Sequence, residues 1–387
     1  MSIKPHSLWG RAIGSYAYYP DFNRSSLSMN SELAGLQAME KIAQLSTEAR
    51  APAQQHTVSG IEVSTLQSAL QLSVDPLTIG HLANPSVINS CVQLMQTVSG
   101  RSSSGPPSPF SYEYGYLGFN LLVSALNSCL LERWNELDEA RTLTTQVANA
   151  TPQIVTSNTL ASAVLTQFDV ASSGGDCDWV LGWSSSPSGR HYAPLLLQSD
   201  ISTLLNMLWD DRKSFLKAQS LTQSIHGSIG LAGLMFVFSR YLSRRRVSDK
   251  TPYEETLADK LNELVFRYIL VASKYRREAA IRVIDTIPTD AKWTSTAKHV
   301  DADDSKLILA SFINQLANEN DPSILVKQDA TMMLRFVPLA LDTDSQELLP
   351  EVLKWTIKYD WSVLVDMDEK VPIESFLPIA FAGLRCV

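Results

Sequence analysis

The stretch GRSSSGPPSPFSYEYGYLGFNLLVSALNSCLL, residues 100 to 131, decides between two architectures. Gly100 and Gly105 have the spacing of a phosphate-binding loop, which would imply a strand before it and an α/β nucleotide fold. That loop requires a lysine followed by serine or threonine, and here Pro106 and Pro107 follow instead. Proline also removes the backbone N–H donors that a phosphate needs, and no strand pattern precedes the glycines. The second half of the stretch reads as burial. Tyr112, Tyr116, Phe119, Val123, Leu126 and Leu130 recur at helical spacing on one side, while Tyr114, Leu117, Leu121 and Ala125 cover another. The reading is a Ser/Gly/Pro linker over 99 to 109 followed by a buried helix.

A bilayer would bury such a helix as well as a protein core would. Tyr114 to Leu131 is eighteen residues without a formal charge, at the lower edge of spanning length. Asn120, Ser124, Asn127 and Ser128 form a polar seam at three- and four-residue spacing, which suits a soluble helix better. Ile225 to Phe238, followed by the basic run SRYLSRRR, is a second candidate anchor. Its apolar part is only about ten residues, which suits a core helix. Membrane contact is therefore the secondary expectation.

Working outward, helical periodicity dominates. It predicts helices near 31–50, 58–72, 85–98, 110–131, 134–149, 153–169, 194–211, 213–246, 253–285, 303–319, 322–341, 345–359 and 373–384. Alternating β-branched runs between turn signals are missing, with Trp179-Val180-Leu181 too short to count as a strand. The expected fold is all-α, either an irregular array in the style of armadillo or HEAT repeats or a compact multi-helix bundle. The breaks suggest an N-terminal helical segment over 1–105, central helices with a Trp-containing irregular loop over 106–190, and a C-terminal helical region over 191–387. In the irregular loop, ASSGGDCDWVLGWSSSPSGRHYAP, the rings of Trp179, Trp183 and Tyr192 are expected to pack back onto the helices.

Charge is unevenly distributed. Lys plus Arg against Asp plus Glu count 6 to 6 over residues 1–110, 3 to 10 over 111–210, 16 to 9 over 211–300 and 7 to 15 over 301–387. A single net-basic segment between acidic ones points to docking with acidic surfaces rather than to nucleic acid. The cysteines Cys91, Cys129, Cys177 and Cys386 show no paired spacing, and the N-terminus carries no signal-peptide run. The expected compartment is the cytoplasm, with the nucleus second.

Catalytic constellations are hard to assemble. His6, His56, His81, His191, His226 and His299 are scattered, so no metal site and no cofactor are expected. Cys177 with His191, oriented by Asp176 or Asp178, is the one nucleophile–base pair the spacing allows. Asp210-Asp211 and Asp303-Asp304 invite comparison with class I terpene cyclases, which the chain resembles in fold class alone. Neither pair continues to the further acid of the D-D-x-x-D/E pattern that would bind magnesium and diphosphate.

The run RYLSRRRVSDK, residues 240 to 250, is the most legible polar motif. Arg240, Arg244, Arg245 and Arg246 are candidate partner-binding residues, and Arg245-Arg246-Val247-Ser248 makes Ser248 a candidate phosphosite. The phrase SPFSYEYGYLGFNLLVSAL after its Ser/Pro linker resembles, across residues 1 to 150, uncharacterised helical proteins of mushroom-forming fungi. That resemblance implies a helical fold and a fungal source and transfers no activity. The functional expectation is a non-enzymatic protein-binding helical scaffold with an acidic partner. The alternatives are an all-α enzyme of terpene-cyclase-like architecture or a membrane-associated helical protein.

Overall fold

A computed structural model describes residues 6–12, 27–48, 60–100, 109–146, 152–223, 230–248, 252–287, 300–318, 337 and 340–365. Among these the protein is all-α. No strand occurs, only isolated bridges at His6–Gly10 and Ala12–Tyr112. The helices are α1 (Met29–Glu48), α2 (Val63–Gln71), α3 (Pro85–Gly100), α4 (Glu113–Trp134), α5 (Leu137–Gln146), α6 (Pro152–Ser172), α7 (Gln198–Asp210), α8 (Arg212–Gln223), α9 (Ala232–Ser248), α10 (Pro252–Ile269), α11 (Lys274–Thr286), α12 (Ala302–Asn318) and α13 (Leu349–Val365). They fall into two compact units, Met1–Leu257 and Ala258–Val387, with the division inside α10. Most of the linker before α4, residues 101–108, and the expected helices at 322–341 (apart from Val337 and Ala340) and 373–384 lie outside the described residues.

In the first unit the helix read from the opening stretch becomes the centre. α4 packs against α2, α3, α5, α6 and α9. It is long and apolar enough to cross a membrane, and 94% of that window is buried inside the protein. Its apolar residues cover every side because neighbours lie on every side. The first N–H groups of α4 find no side-chain cap on Tyr112. Backbone carbonyls supply one instead: Glu113 N donates to Arg11 O at 2.9 Å and Tyr114 N to Trp9 O at 3.1 Å. At its far end Asn135 takes the left-handed conformation, φ 62°, and the Glu136 N–H reaches back to Leu131 O at 2.8 Å, closing the helix.

Three of the four residues of the α4 polar seam are withdrawn from water, and Ser124 is half-buried. Asn120, Asn127 and Ser128 are buried. Asn127 Nδ2 donates to Gly230 O at 2.9 Å, and Gly230 N donates to Ser157 Oγ of α6 at 3.1 Å, so α4 and α6 together hold the residue leading into α9. Satisfying a backbone carbonyl in the core is what polar side chains on a buried helix are for.

Before α4, the 3-10 turn Pro109–Ser111 brings Phe110 against Phe119 and Phe215, with ring centroids 5.2 and 6.1 Å away, both edge-on. Phe110 N also donates to Asp211 Oδ2 at 3.3 Å. Burial pushes the Asp211 carboxyl up to about 7. Because its folded value lies above the ordinary aspartate value of about 3.9, its contribution to stability is full below pH ~4 and is lost as pH rises towards 7. Asp211→Asn keeps the acceptor and removes the ionisation. The melting temperature of this variant should gain on wild type steadily between about pH 4 and pH 7 and then hold a constant lead. A lead independent of pH would show that the carboxyl is not the titrating group.

Two expected helices are each broken. The 213–246 run is α8 and α9, and the 253–285 run is α10 and α11. Between α10 and α11 the chain turns at Leu270-Val271-Ala272-Ser273 while Leu270, Val271 and Ala272 stay buried, so the apolar rhythm continues through a break in the backbone. Ser273 adopts extended geometry, φ −69° and ψ 162°, at the N-cap of α11. The region read as Trp179-Val180-Leu181 is a 3-10 turn, Asp178–Leu181.

In the second unit α12 packs against α13. Arg267 of α10 is 0% exposed and holds two buried carboxylates. Its Nη1 and Nη2 donate to Asp304 Oδ1 and Oδ2, each at 2.7 Å, and its Nε and Nη2 donate to Glu263 Oε1 at 3.0 and 2.9 Å. Burial alone would draw the guanidinium down, and its carboxylate bonds raise it instead.

Candidate partner-binding surface

The Gly/Ser-rich loop between α6 and α7 is held from below by one arginine. Arg133, near the end of α4 and 7% exposed, donates through Nη1 to Val180 O at 2.6 Å and through Nη2 to Ala193 O at 2.8 Å. Burial draws its guanidinium below the ordinary value. Cys177, Val180, Leu181, Leu195 and Leu196 are buried, which supplies the loop with its own small apolar base. A loop tied at both ends and floored this way is a fixed surface rather than a tether.

The aromatic rings then stand between arginines. Trp179 and Tyr192 pack with centroids 6.0 Å apart. Arg133 and Arg190 both lie over the Tyr192 ring, at 4.8 and 4.9 Å from its centroid. From α9, Arg244 lies over Trp183 at 5.7 Å and donates to Trp183 O at 3.2 Å. Arg245 lies over Tyr241 at 5.5 Å and donates to its hydroxyl at 2.9 Å. Trp179, Trp183 and Tyr192 remain partly open to solvent, while Arg190 is exposed.

The basic run at the end of α9 is thus divided. Arg240 Nε binds Asp178 Oδ1 at 2.8 Å, with the two side chains 19% and 10% exposed. Burial opposes the Arg240 charge, and the bond to Asp178 more than offsets it. Arg240 is therefore a fastener between α9 and the loop. Arg244 reaches the same carboxylate only at 3.4 Å and keeps 42% of its side chain exposed. Arg246 and Ser248 belong to α9, but their side chains lie outside the described residues. Sequence reading missed Asp178 as the acid that Arg240 and Arg244 share, and missed Arg133 and Arg190 altogether. The density of Trp and Tyr in a Gly/Ser loop was the available signal.

The other candidate sites are committed elsewhere. Cys177 is buried and its thiol is pushed up to about 11, while exposed His191 sits 3.2 Å from Ser185 Oγ. A desolvated thiol of that kind is a poor nucleophile. Asp304 is occupied by Arg267 and Asp211 by the Phe110 N–H. Among the described residues no group of three or more His, Cys, Asp or Glu is placed to hold a metal ion.

What the surface offers chemically is planar cations on aromatic platforms, the composition of binding hot spots. Comparison of the chain with protein-family models, with curated proteins and with solved structures gives no match.

Proposed function

We propose that the protein is a non-enzymatic binding scaffold whose contact surface is the loop over residues 176–196 together with the end of α9, and whose partner presents an acidic protein surface. The observation that supports this reading is the fixed set of Arg190, Arg244 and Arg245 over Tyr192, Trp183 and Tyr241. Stacking holds the guanidinium groups in place before binding, which reduces the ordering cost on association. Asp176 and Asp178 are the nearby acids, and Asp178 is already taken by Arg240.

The test is a charge reversal, Arg190→Glu with Arg244→Glu, compared with wild type by affinity purification and quantitative mass spectrometry from the native cell. Acidic partners should be recovered roughly tenfold less, and wild-type recovery should fall with added salt. The double variant should remain folded, because Arg240 still neutralises Asp178 and the side chains of Arg190 and Arg244 are exposed, and its unfolding should be checked beside wild type. Arg240→Gln should behave differently, costing about 1–3 kcal/mol by leaving Asp178 short of a partner. An unchanged partner list for the folded double variant would overturn the proposal.

A further inference from the structure

The N-terminal segment His6–Ala12 is held at the start of α4 like a ligand in a receptor. It closes on itself first: His6 N donates to Gly10 O at 2.8 Å, Gly10 N to His6 O at 3.0 Å, and Leu8 N and Trp9 N to His6 Nδ1 at 3.2 Å each. Gly10 has φ 77°, and a Cβ there would lie 2.8 Å from Glu113 Oε2, so only glycine lets the turn approach the carboxylate. The folded turn presents an aromatic ring, a guanidinium and two carbonyls, each of which meets a complementary group. Trp9 is buried edge-on to Tyr114 with centroids 5.2 Å apart, and His6 stands 5.6 Å from Tyr112. The Trp9 and Arg11 carbonyls take the otherwise uncapped N–H groups of Tyr114 and Glu113.

The centre of the site is Glu113, whose side chain is 4% exposed. Arg11 Nη2 donates to Oε1 at 2.7 Å, and Arg11 Nε and backbone N donate to Oε2 at 3.1 Å each. Gln67 Nε2 of α2 donates to Oε1 at 2.9 Å. Burial alone would raise this carboxyl, and the bonds from Arg11 and Gln67 hold it below the ordinary range. A buried carboxylate with an arginine supplied by a segment 102 positions away is built for a guanidinium, and leaving it uncompensated is expensive.

We infer that the start of α4, with Glu113, Gln67, Tyr112 and Tyr114, is a peptide-binding site for a compact turn bearing an aromatic–Gly–Arg sequence, occupied in the free protein by the chain's own Trp9-Gly10-Arg11. The occupant is short and self-folded, and it is attached through the Arg11 guanidinium, the Trp9 and His6 rings and three backbone hydrogen bonds, groups that another chain can carry. A peptide with the same groups competes with it at the effective concentration set by the tether.

The test uses the full-length chain with Arg11→Ala, which weakens the internal occupant, and the blocked peptide HSLWGRA, residues 6–12, added in trans. Wild-type peptide should raise the variant's melting temperature saturably, by about 3 °C once it exceeds its dissociation constant roughly tenfold. The peptide with alanine in place of its arginine should give no shift. Trp9→Ala, which leaves the Arg11–Glu113 pair intact, is the second host should Arg11→Ala fail to fold. A folded host that shows no shift at millimolar peptide, or equal shifts from both peptides, overturns the inference. So does failure of both hosts to fold, since a site that cannot be emptied cannot serve a ligand.

Discussion

Replacing Arg267 with methionine should lower the stability of the Ala258–Val387 unit by about 3–5 kcal/mol, the loss expected when one member of a buried ionic group is removed and its partners stay behind. Methionine fills much of the volume but takes from Glu263 and Asp304, 1% and 0% exposed, the guanidinium that both of them bond. Urea denaturation followed by hydrogen exchange at amides of α10 and α12 measures the loss. The triple variant with Glu263→Leu and Asp304→Leu should recover most of the loss. A triple variant no more stable than Arg267→Met would mean that packing, rather than charge, sets the deficit.

Gly115→Ala should be the most damaging single methyl group in the first unit. A Cβ at Gly115 would overlap the carbonyl oxygen of Pro109, with the Pro109 carbonyl carbon 2.7 Å away. Both are backbone atoms, so relief requires the Pro109–Ser111 turn to leave its place on α4. Phe110 would move with it, breaking its ring contacts with Phe119 and Phe215 and its N–H bond to Asp211. Exposing one buried phenylalanine costs about 1.5–3 kcal/mol, and backbone strain adds to that. The expected total is about 3–5 kcal/mol. Gly118→Ala is the control, since a Cβ there meets only Met95 Cγ at an ordinary 3.9 Å, and it should be neutral or slightly stabilising through helix propensity. Thermal unfolding of the two variants side by side decides the point, and equal behaviour would remove the close approach as the cause.

How much of this was readable in the sequence follows from the range of each interaction. α4 was legible because an all-round apolar helix announces its own burial, and its ends at Glu113 and Trp134 differ from the expected 110 and 131 by only a turn. The break at α10–α11 was not, because Leu270, Val271 and Ala272 keep the apolar rhythm while the backbone changes direction. Asp303-Asp304 was noticed as a doublet, yet its meaning depends on Arg267, 37 positions earlier. In the same way, Arg240 and Arg244 stood out as a basic run, while the carboxylate they share lies 62 and 66 positions before them. Local spacing carries helices and caps; it does not carry which acid meets which base.

The central position of α4 has a kinetic meaning. Links spanning about a hundred positions meet on it or just before it: Arg11 to Glu113 over 102, Phe110 to Asp211 over 101, and Asn127 to Gly230 over 103. Each requires a long loop to close before it contributes anything, and loop closure is the slow, entropically opposed part of folding. In a linear stack of helical hairpins, neighbours could form in turn and the structure could grow from any point. Here the helices that complete the surroundings of α4 come from both sides of it in the chain, so a nascent polypeptide ending before α9 would hold α4 with one face still open to water. The central helix of the first unit is therefore not fully covered until α9 has been made.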